Sequence, residues 1–161
     1  MLAFWGILAV VAAIDRVTKF WAGAALNGGR TMAALPGLLD LHYTQNRGMA
    51  LGFLSGQWLA SLILPLVAVV VWCLLGRRYE PTGYKRVASA LILGGFAGNF
   101  TDRLLFGFVV DMIYFPWLPW FVCNIADIAI CAGVVMLVIS LAFRSQDWRE
   151  KHAKDEGASA P

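Results

Sequence analysis

Two carboxylates stand where carboxylates rarely stand. Asp127 interrupts the apolar run 121–139, and Asp111 interrupts the run 106–115. An acid placed in hydrocarbon costs roughly 3 kcal/mol even on insertion scales, so an acid kept there points to use. Two such acids that meet in space can share one proton. One then acts as a base toward water while the other donates a hydrogen bond to a carbonyl oxygen, which is the chemistry of amide hydrolysis.

Other polar residues gather around them in sequence. Asp15 and Lys19 are four apart, with the acid first, the favourable order for a helical pair. Asn99 and Asp102 are three apart, followed by Arg103; Asn124 and Asp127 repeat the same spacing. On a helix each amide shares a face with the carboxyl three residues on, and can donate to it and fix its rotamer. Asn46 and Gly48 lie in a glycine-containing stretch suited to a turn.

The elements that must position these residues are membrane helices. The 161 residues are 60% hydrophobic, with a mean hydropathy of +0.68, too apolar for a soluble domain of this size. A spanning helix needs about 20 mostly apolar residues. Four stretches qualify: 2–21, 58–75 with Pro65 inside, 87–105 and 121–143. The segment 106–120 is apolar but short and broken by Pro116 and Pro119, and reads as an interfacial or re-entrant loop. The first stretch lacks a basic start and carries Asp15-Arg16, so it is expected to remain a helix rather than a cleaved leader. In the long connection 22–57, Leu39, Leu41 and Tyr43 alternate with Asp40, His42 and Thr44, the pattern of a half-buried strand. The expected fold is therefore an all-α integral membrane domain spanning residues 1–161, with four transmembrane helices and a small β-rich extracytoplasmic loop.

Orientation follows from Lys and Arg. Connection 77–86 holds four basic residues and the tail 144–161 holds four more, whereas 22–57 holds only Arg30 and Arg47 and 106–120 holds none. This bias places both termini and the tail in the cytoplasm and the loops 22–57 and 106–120 outside. Every charged residue within a span then falls in the outer part of the bilayer. The net charge of +3 follows from this topology and does not indicate nucleic acid. Cys73, Cys123 and Cys131 form no CxxC pair, and there are only two histidines, so no metal or cofactor is expected. The tail beyond Arg144 is expected to be solvated and partly disordered.

The motifs in their order resemble the lipoprotein signal peptidase (signal peptidase II) family. The resemblance rests on Asp15-Arg-Val-Thr-Lys19, Asn46-Arg-Gly-Met-Ala-Leu-Gly-Phe53, Gly98-Asn-Phe-Thr-Asp-Arg103 with Val109-Val-Asp111, and Asn124-Ile-Ala-Asp127. It covers nearly the whole chain. Met49 stands where the family usually has Ala, and Cys123 where it often has Phe. The resemblance implies an aspartic endopeptidase of the bacterial inner membrane. It would cut a diacylglyceryl-modified prolipoprotein just before the lipidated cysteine, beside membrane lipid, and be inhibited by globomycin. It implies Asp111 and Asp127 as the catalytic pair, with Asp15, Lys19, Asn46, Gly48, Asn99, Asp102, Arg103 and Asn124 as the supporting shell. The residues alone leave other readings: a proton- or cation-coupled transporter, a Ser55–Lys19 peptidase, a Cys123–His42 enzyme, or a scaffold.

Overall fold

The computed structural model of the protein describes residues 1–48 and 58–150. Met49, Phe53, Ser55 and the end of the tail, 151–161, lie outside the described residues. Four helices form the frame: α1 Leu2–Leu26, α2 Trp58–Gly76, α3 Gly83–Phe106 and α4 Ile125–Phe143. α3 is central, packing broadly against α4 and α1 and more narrowly against α2. Glycine sets the closeness of that packing. Gly94 lies against Val11 and the Leu8 carbonyl of α1, Gly95 against Ile130 and the Ala126 carbonyl of α4, and Gly133 of α4 against Ile92 and the Ala88 carbonyl. Without a Cβ at these points the backbones can approach each other directly.

The polarity of the frame is inverted relative to a water-soluble bundle. On α1, Asp15 and Lys19 are buried while Ile14, Val17 and Phe20 are exposed. On α3, Asn99 and Asp102 are buried while Leu104 and Leu105 are exposed. Among the described residues, Leu59–Gly76 and Ile125–Phe143 are long and apolar enough to cross a membrane by length and composition. α1 and α3 are longer, at 25 and 24 residues, but carry charges along their length.

A four-stranded antiparallel sheet, in the order β1-β2-β3-β4, sits at one end of the helices. Its strands are β1 Thr31–Leu35, β2 Leu39–Asn46, β3 Val109–Tyr114 and β4 Val122–Cys123. β1 and β2 form a hairpin whose turn uses Gly37 at φ 74°, a left-handed conformation that favours glycine. The sheet packs on the end of α1, where Ala22 and Leu26 meet Val110, Met112, Ile113 and Cys123. Gly107, at φ 75°, caps α3 and donates its N–H to the Arg103 carbonyl. That cap turns the chain at once into β3, which carries Asp111.

Several boundaries depart from the hydropathy reading. The segment 106–120, expected as an interfacial or re-entrant loop, supplies β3 and turns that lead into β4. A short apolar run does not distinguish strand from helix by composition. α4 starts at Ile125 rather than 121, because Asn124 caps it and the residues before the cap pair with β3. α1 runs on to Leu26, five residues beyond the expected end, and serves as the platform for the sheet. β1 went unread because its five residues are all exposed and do not alternate. The tail is folded where it leaves α4: Ser145–Trp148 forms a 3-10 turn in which Asp147 is buried.

Gly95→Ala is expected to destabilise the protein by about 1–3 kcal/mol, because the new methyl meets backbone that cannot step aside. Gly6→Ala, with nothing near the added atom, is expected to be neutral or slightly stabilising. Thermal unfolding of both variants in detergent checks the contrast.

Candidate active site

Asp127 is the third residue of α4 and enters a reciprocal cap. Its backbone N–H donates to Asn124 Oδ1 at 2.9 Å, and the Asn124 N–H donates to Asp127 Oδ2 at 3.3 Å. With its oxygen committed, Asn124 turns its Nδ2 toward Asp111 Oδ1, Asn99 Oδ1 and the Val110 carbonyl. Asn99 Nδ2 donates to Asp127 Oδ1 at 2.7 Å. Asn46 Nδ2 donates to Asp111 Oδ2 at 2.8 Å, while its own oxygen accepts the Gly48 N–H at 3.0 Å.

The side-chain amides therefore cross over. Asn99 serves Asp127 rather than Asp102, and Asn124 serves Asp111 while it caps Asp127. The spacing allows each amide to donate to the carboxyl three residues on, but both side-chain amides donate across to another acid's carboxyl instead. Packing of α3 against α4 brings a better-aimed acceptor from the other helix, and Asp102 is already engaged.

Asp102 belongs to an ion cluster with Lys19. Lys19 Nζ lies 2.8 Å from Asp15 Oδ2, 3.0 Å from Asp102 Oδ2 and 2.8 Å from Asn99 Oδ1. An ammonium has three hydrogens, and here three acceptors meet it. Lys19 is thus no free base, which removes the Ser55–Lys19 reading. The remaining carboxylate oxygens also find donors. Asp15 Oδ1 accepts the Ala126 N–H at 3.0 Å, and Asp102 Oδ1 pairs with Arg16 at 2.8 Å. Val110 N–H donates to Asp102 Oδ2 at 3.3 Å. Arg16 was missed from sequence; its signal was a second cation three residues before Lys19, on the same helix face. Arg103 ties the chain after β2 to α3, donating to the Gly48 carbonyl at 3.0 Å and the Asn99 carbonyl at 3.5 Å.

The other candidate residues lie elsewhere in role. His42 stacks on Tyr114 across the sheet, with ring centroids 4.4 Å apart. Cys123 is buried, and burial followed by the nearby Asp127 and Asp111 pushes its thiol up to about 12. With Cys123 packed in the apolar cluster and His42 stacked on Tyr114, the structure gives no support to the Cys123–His42 reading. Thr18 bonds back to carbonyls of its own helix.

Asp111, on β3, is 2% exposed. Burial first, and the neighbouring Asp127 charge second, push it from 3.8 up to about 6, against the lowering effect of the Asn46 and Asn124 amides. Beside Asp127 a cavity of about 260 Å³ opens between α2, α3 and α4. Asn99, Arg103 and Asp127 form its polar end, and Leu62, Phe96 and Ile130 its apolar walls. Asp111 does not line this cavity.

Lys19→Met is expected to cost about 3–5 kcal/mol, since it leaves Asp15 buried without a cation and Asp102 with Arg16 alone; denaturation in detergent measures it. Asp111 gives a second, opposite expectation. Below about pH 4 it is protonated in both folded and unfolded chains and has no effect. As pH rises through about 6 the unfolded chain loses its proton first, so stability falls across that window. Two units correspond to roughly 3 kcal/mol. Asp111→Asn is therefore expected to lose the slope between pH 4 and 6, and to lose one hydrogen bond as well, because its amide nitrogen must face the Asn46 or the Asn124 donor. An unchanged slope contradicts this.

The chain matches the family Peptidase_A8, signal peptidase (SPase) II, over residues 7–143. It is 37% identical over 142 residues to the lipoprotein signal peptidase of Syntrophomonas wolfei, covering 86% of this chain and 92% of that one. It is 33% identical over 145 residues to the lipoprotein signal peptidase of Streptococcus pyogenes serotype M2, covering 89% and 91%. Two solved structures share the fold, both described as bacterial membrane enzymes determined by the in meso method. One aligns with a TM-score of 0.78 at 28% identity, over 94% of both chains. The other aligns with a TM-score of 0.74 at 26% identity, over 89% of this chain and 95% of that one. Nothing in these likenesses supports a transporter. With the family matched across most of its length, this chain belongs to the signal peptidase II family of proteases.

Proposed function

We propose that the protein is an aspartic endopeptidase that removes the signal peptide from diacylglyceryl-modified prolipoproteins, cutting just before the lipidated cysteine. The observation that carries this is the amide-linked pair of carboxylates at one end of an apolar bundle, Asp111 buried and Asp127 half-buried at the cavity wall. The pair shares one proton, and its titration belongs to both groups. The ionised carboxyl takes a proton from water as the water attacks the scissile carbonyl. The protonated one hydrogen-bonds the carbonyl oxygen and stabilises the developing charge. Asn46, Asn99 and Asn124 aim the carboxyls; Asp15, Lys19, Asp102 and Arg103 brace the helices that carry them, and Gly48 anchors the turn after β2. No metal or other cofactor enters the scheme.

All four helices, α1, α2, α3 and α4, span the inner membrane as one domain. The inverted polarity supports this, because it gives α1 and α3 an apolar exterior despite their charges. The basic connection 77–86, the tail and both termini face the cytoplasm, and the sheet and carboxylates face the periplasm. The cavity beside Asp127 receives the substrate near the membrane surface. Acyl chains anchored in lipid hold the peptide bond at that depth, at about 0.8 kcal/mol per buried methylene. The cyclic peptide globomycin is expected to compete for the same place.

Asp111→Asn and Asp127→Asn are each expected to lower cleavage of a lipidated precursor by about 10²–10⁴-fold while leaving the protein folded. Near-normal turnover by either purified variant contradicts the pair. Two precursors of one sequence, diacylated and bearing a free thiol, give a second test. The lipidated one is expected to have the higher kcat/KM by orders of magnitude; equal values contradict the role given to the lipid.

A further inference from the structure

We propose that a pocket at the opposite end of the bundle holds the phosphate headgroup of an anionic phospholipid. This rests on the reading that the helices span a membrane, and not on the roles given to Asp111 and Asp127. The pocket, of about 310 Å³, lies where α2 ends, α3 begins and the tail folds back. Three cations line it: Arg77, Lys85 and Arg86, opposed by Glu80 alone among the acids that line it. Lys85 is 8% exposed, with its ammonium 5.6 Å from the Tyr79 ring centre and 5.3 Å from that of Trp148. Arg77 and Arg86 are exposed at the rim.

The pocket is built rather than left over. Asp147 accepts Ser140 Oγ at 2.8 Å and Arg144 Nε at 2.7 Å, fixing the turn that carries Trp148. Arg144 holds the Asp147 carboxyl below its ordinary range. Tyr79 pairs with Glu150 as an isolated bridge, and Glu80 N–H donates to the Arg149 carbonyl at 2.9 Å. Trp148 meets the Tyr79 ring edge-on at 5.3 Å and Trp72 at 6.5 Å. The tail is thereby strapped to the α2–α3 connection, and the two together make an aromatic-walled basic recess.

An amphiphile fits this recess better than a soluble anion does. The rim is cationic, but the lining continues to Phe4 of α1 and Leu93 of α3. Leu74, Leu75 and Phe143 are exposed at the same end of the helices. A phosphodiester at Arg77 and Arg86 would leave its acyl chains along that apolar surface. Tryptophan and tyrosine suit headgroup depth, and basic pockets between spans suit anionic headgroups.

The test uses delipidated full-length protein in detergent and native mass spectrometry. Phosphatidylglycerol is expected to be retained roughly tenfold or more over phosphatidylcholine, and the double variant Arg77→Gln/Arg86→Gln to lose most of that preference. Arg77→Lys/Arg86→Lys is expected to restore much of it, since lysine also binds phosphate as a point charge. Arg30→Gln, on the other face, is expected to have no effect. Equal retention of the two lipids, or full retention by the Gln variant, overturns the proposal. Displacement of bound phosphatidylglycerol by millimolar inorganic phosphate overturns the lipid assignment. Cleavage of precursor by the Gln variant in detergent without anionic lipid is expected at the parental rate, so a failure here is separable from a failure of the peptidase reading.

Discussion

The Lys19 ammonium is the contact on which the arrangement of the other polar groups depends. It has three hydrogens, no lone pair, and three partners: Asp15 on its own helix, and Asp102 and Asn99 on α3. The third partner sets direction. A lysine can only donate, so Asn99 must present its oxygen to Lys19, and its Nδ2 is left to point at Asp127. The same logic passes to Asn124, whose oxygen is taken by the helix cap and whose Nδ2 therefore faces Asp111. One cation on α1 thus fixes the orientation of an amide on α3, and the α4 cap completes the set.

That cation requires the helices to be close. Gly98 of α3 lies against the Asp15 carboxylate, where any Cβ would collide with it. Asp15 also accepts the Ala126 N–H at the start of α4. A single carboxylate therefore touches three helices, and the absence of a side chain on α3 makes room for it. The ion cluster is a lock between elements and not a surface pair, because Asp15, Lys19 and Asp102 are all at most 3% exposed. Breaking such a buried set is costly, whereas its net contribution when intact is modest. Its value lies in orientation.

Much of this was legible from sequence, and the limits have physical causes. Asp111 and Asp127 stood out because hydrocarbon makes a carboxylate conspicuous. Asp15 and Lys19 were legible as an i,i+4 pair, and the structure joins them at 2.8 Å. The partners of Asn99 and Asn124 were not legible, because local spacing describes one helix and their acceptors lie on other elements. β3 was read as loop because a strand of five buried residues and one half-buried has no alternation to display. The folded start of the tail was hidden for the opposite reason. Ser145–Trp148 is polar and short, and only the burial of Asp147 among Ser140 and Arg144 reveals it as structure.

Four aspartates lie near one another at this end of the bundle, and their neighbours divide them into two kinds. Asp15 and Asp102 meet cations directly, through Lys19 and Arg16. Asp111 and Asp127 are held by the neutral amides of Asn46, Asn99 and Asn124, with Lys19 one amide from Asp127 and two from Asp111. A cation in direct contact holds a carboxylate ionised, whereas an amide fixes its position with far less bias on its charge. In the proposed reaction the pair must keep one proton and exchange it with water and substrate. Direct pairing with Lys19 would abolish that freedom, and loss of Lys19 would release the amides that aim the pair. Placing Lys19 behind Asn99 serves both needs of the proposed pair: it orients the amides without pairing with either acid.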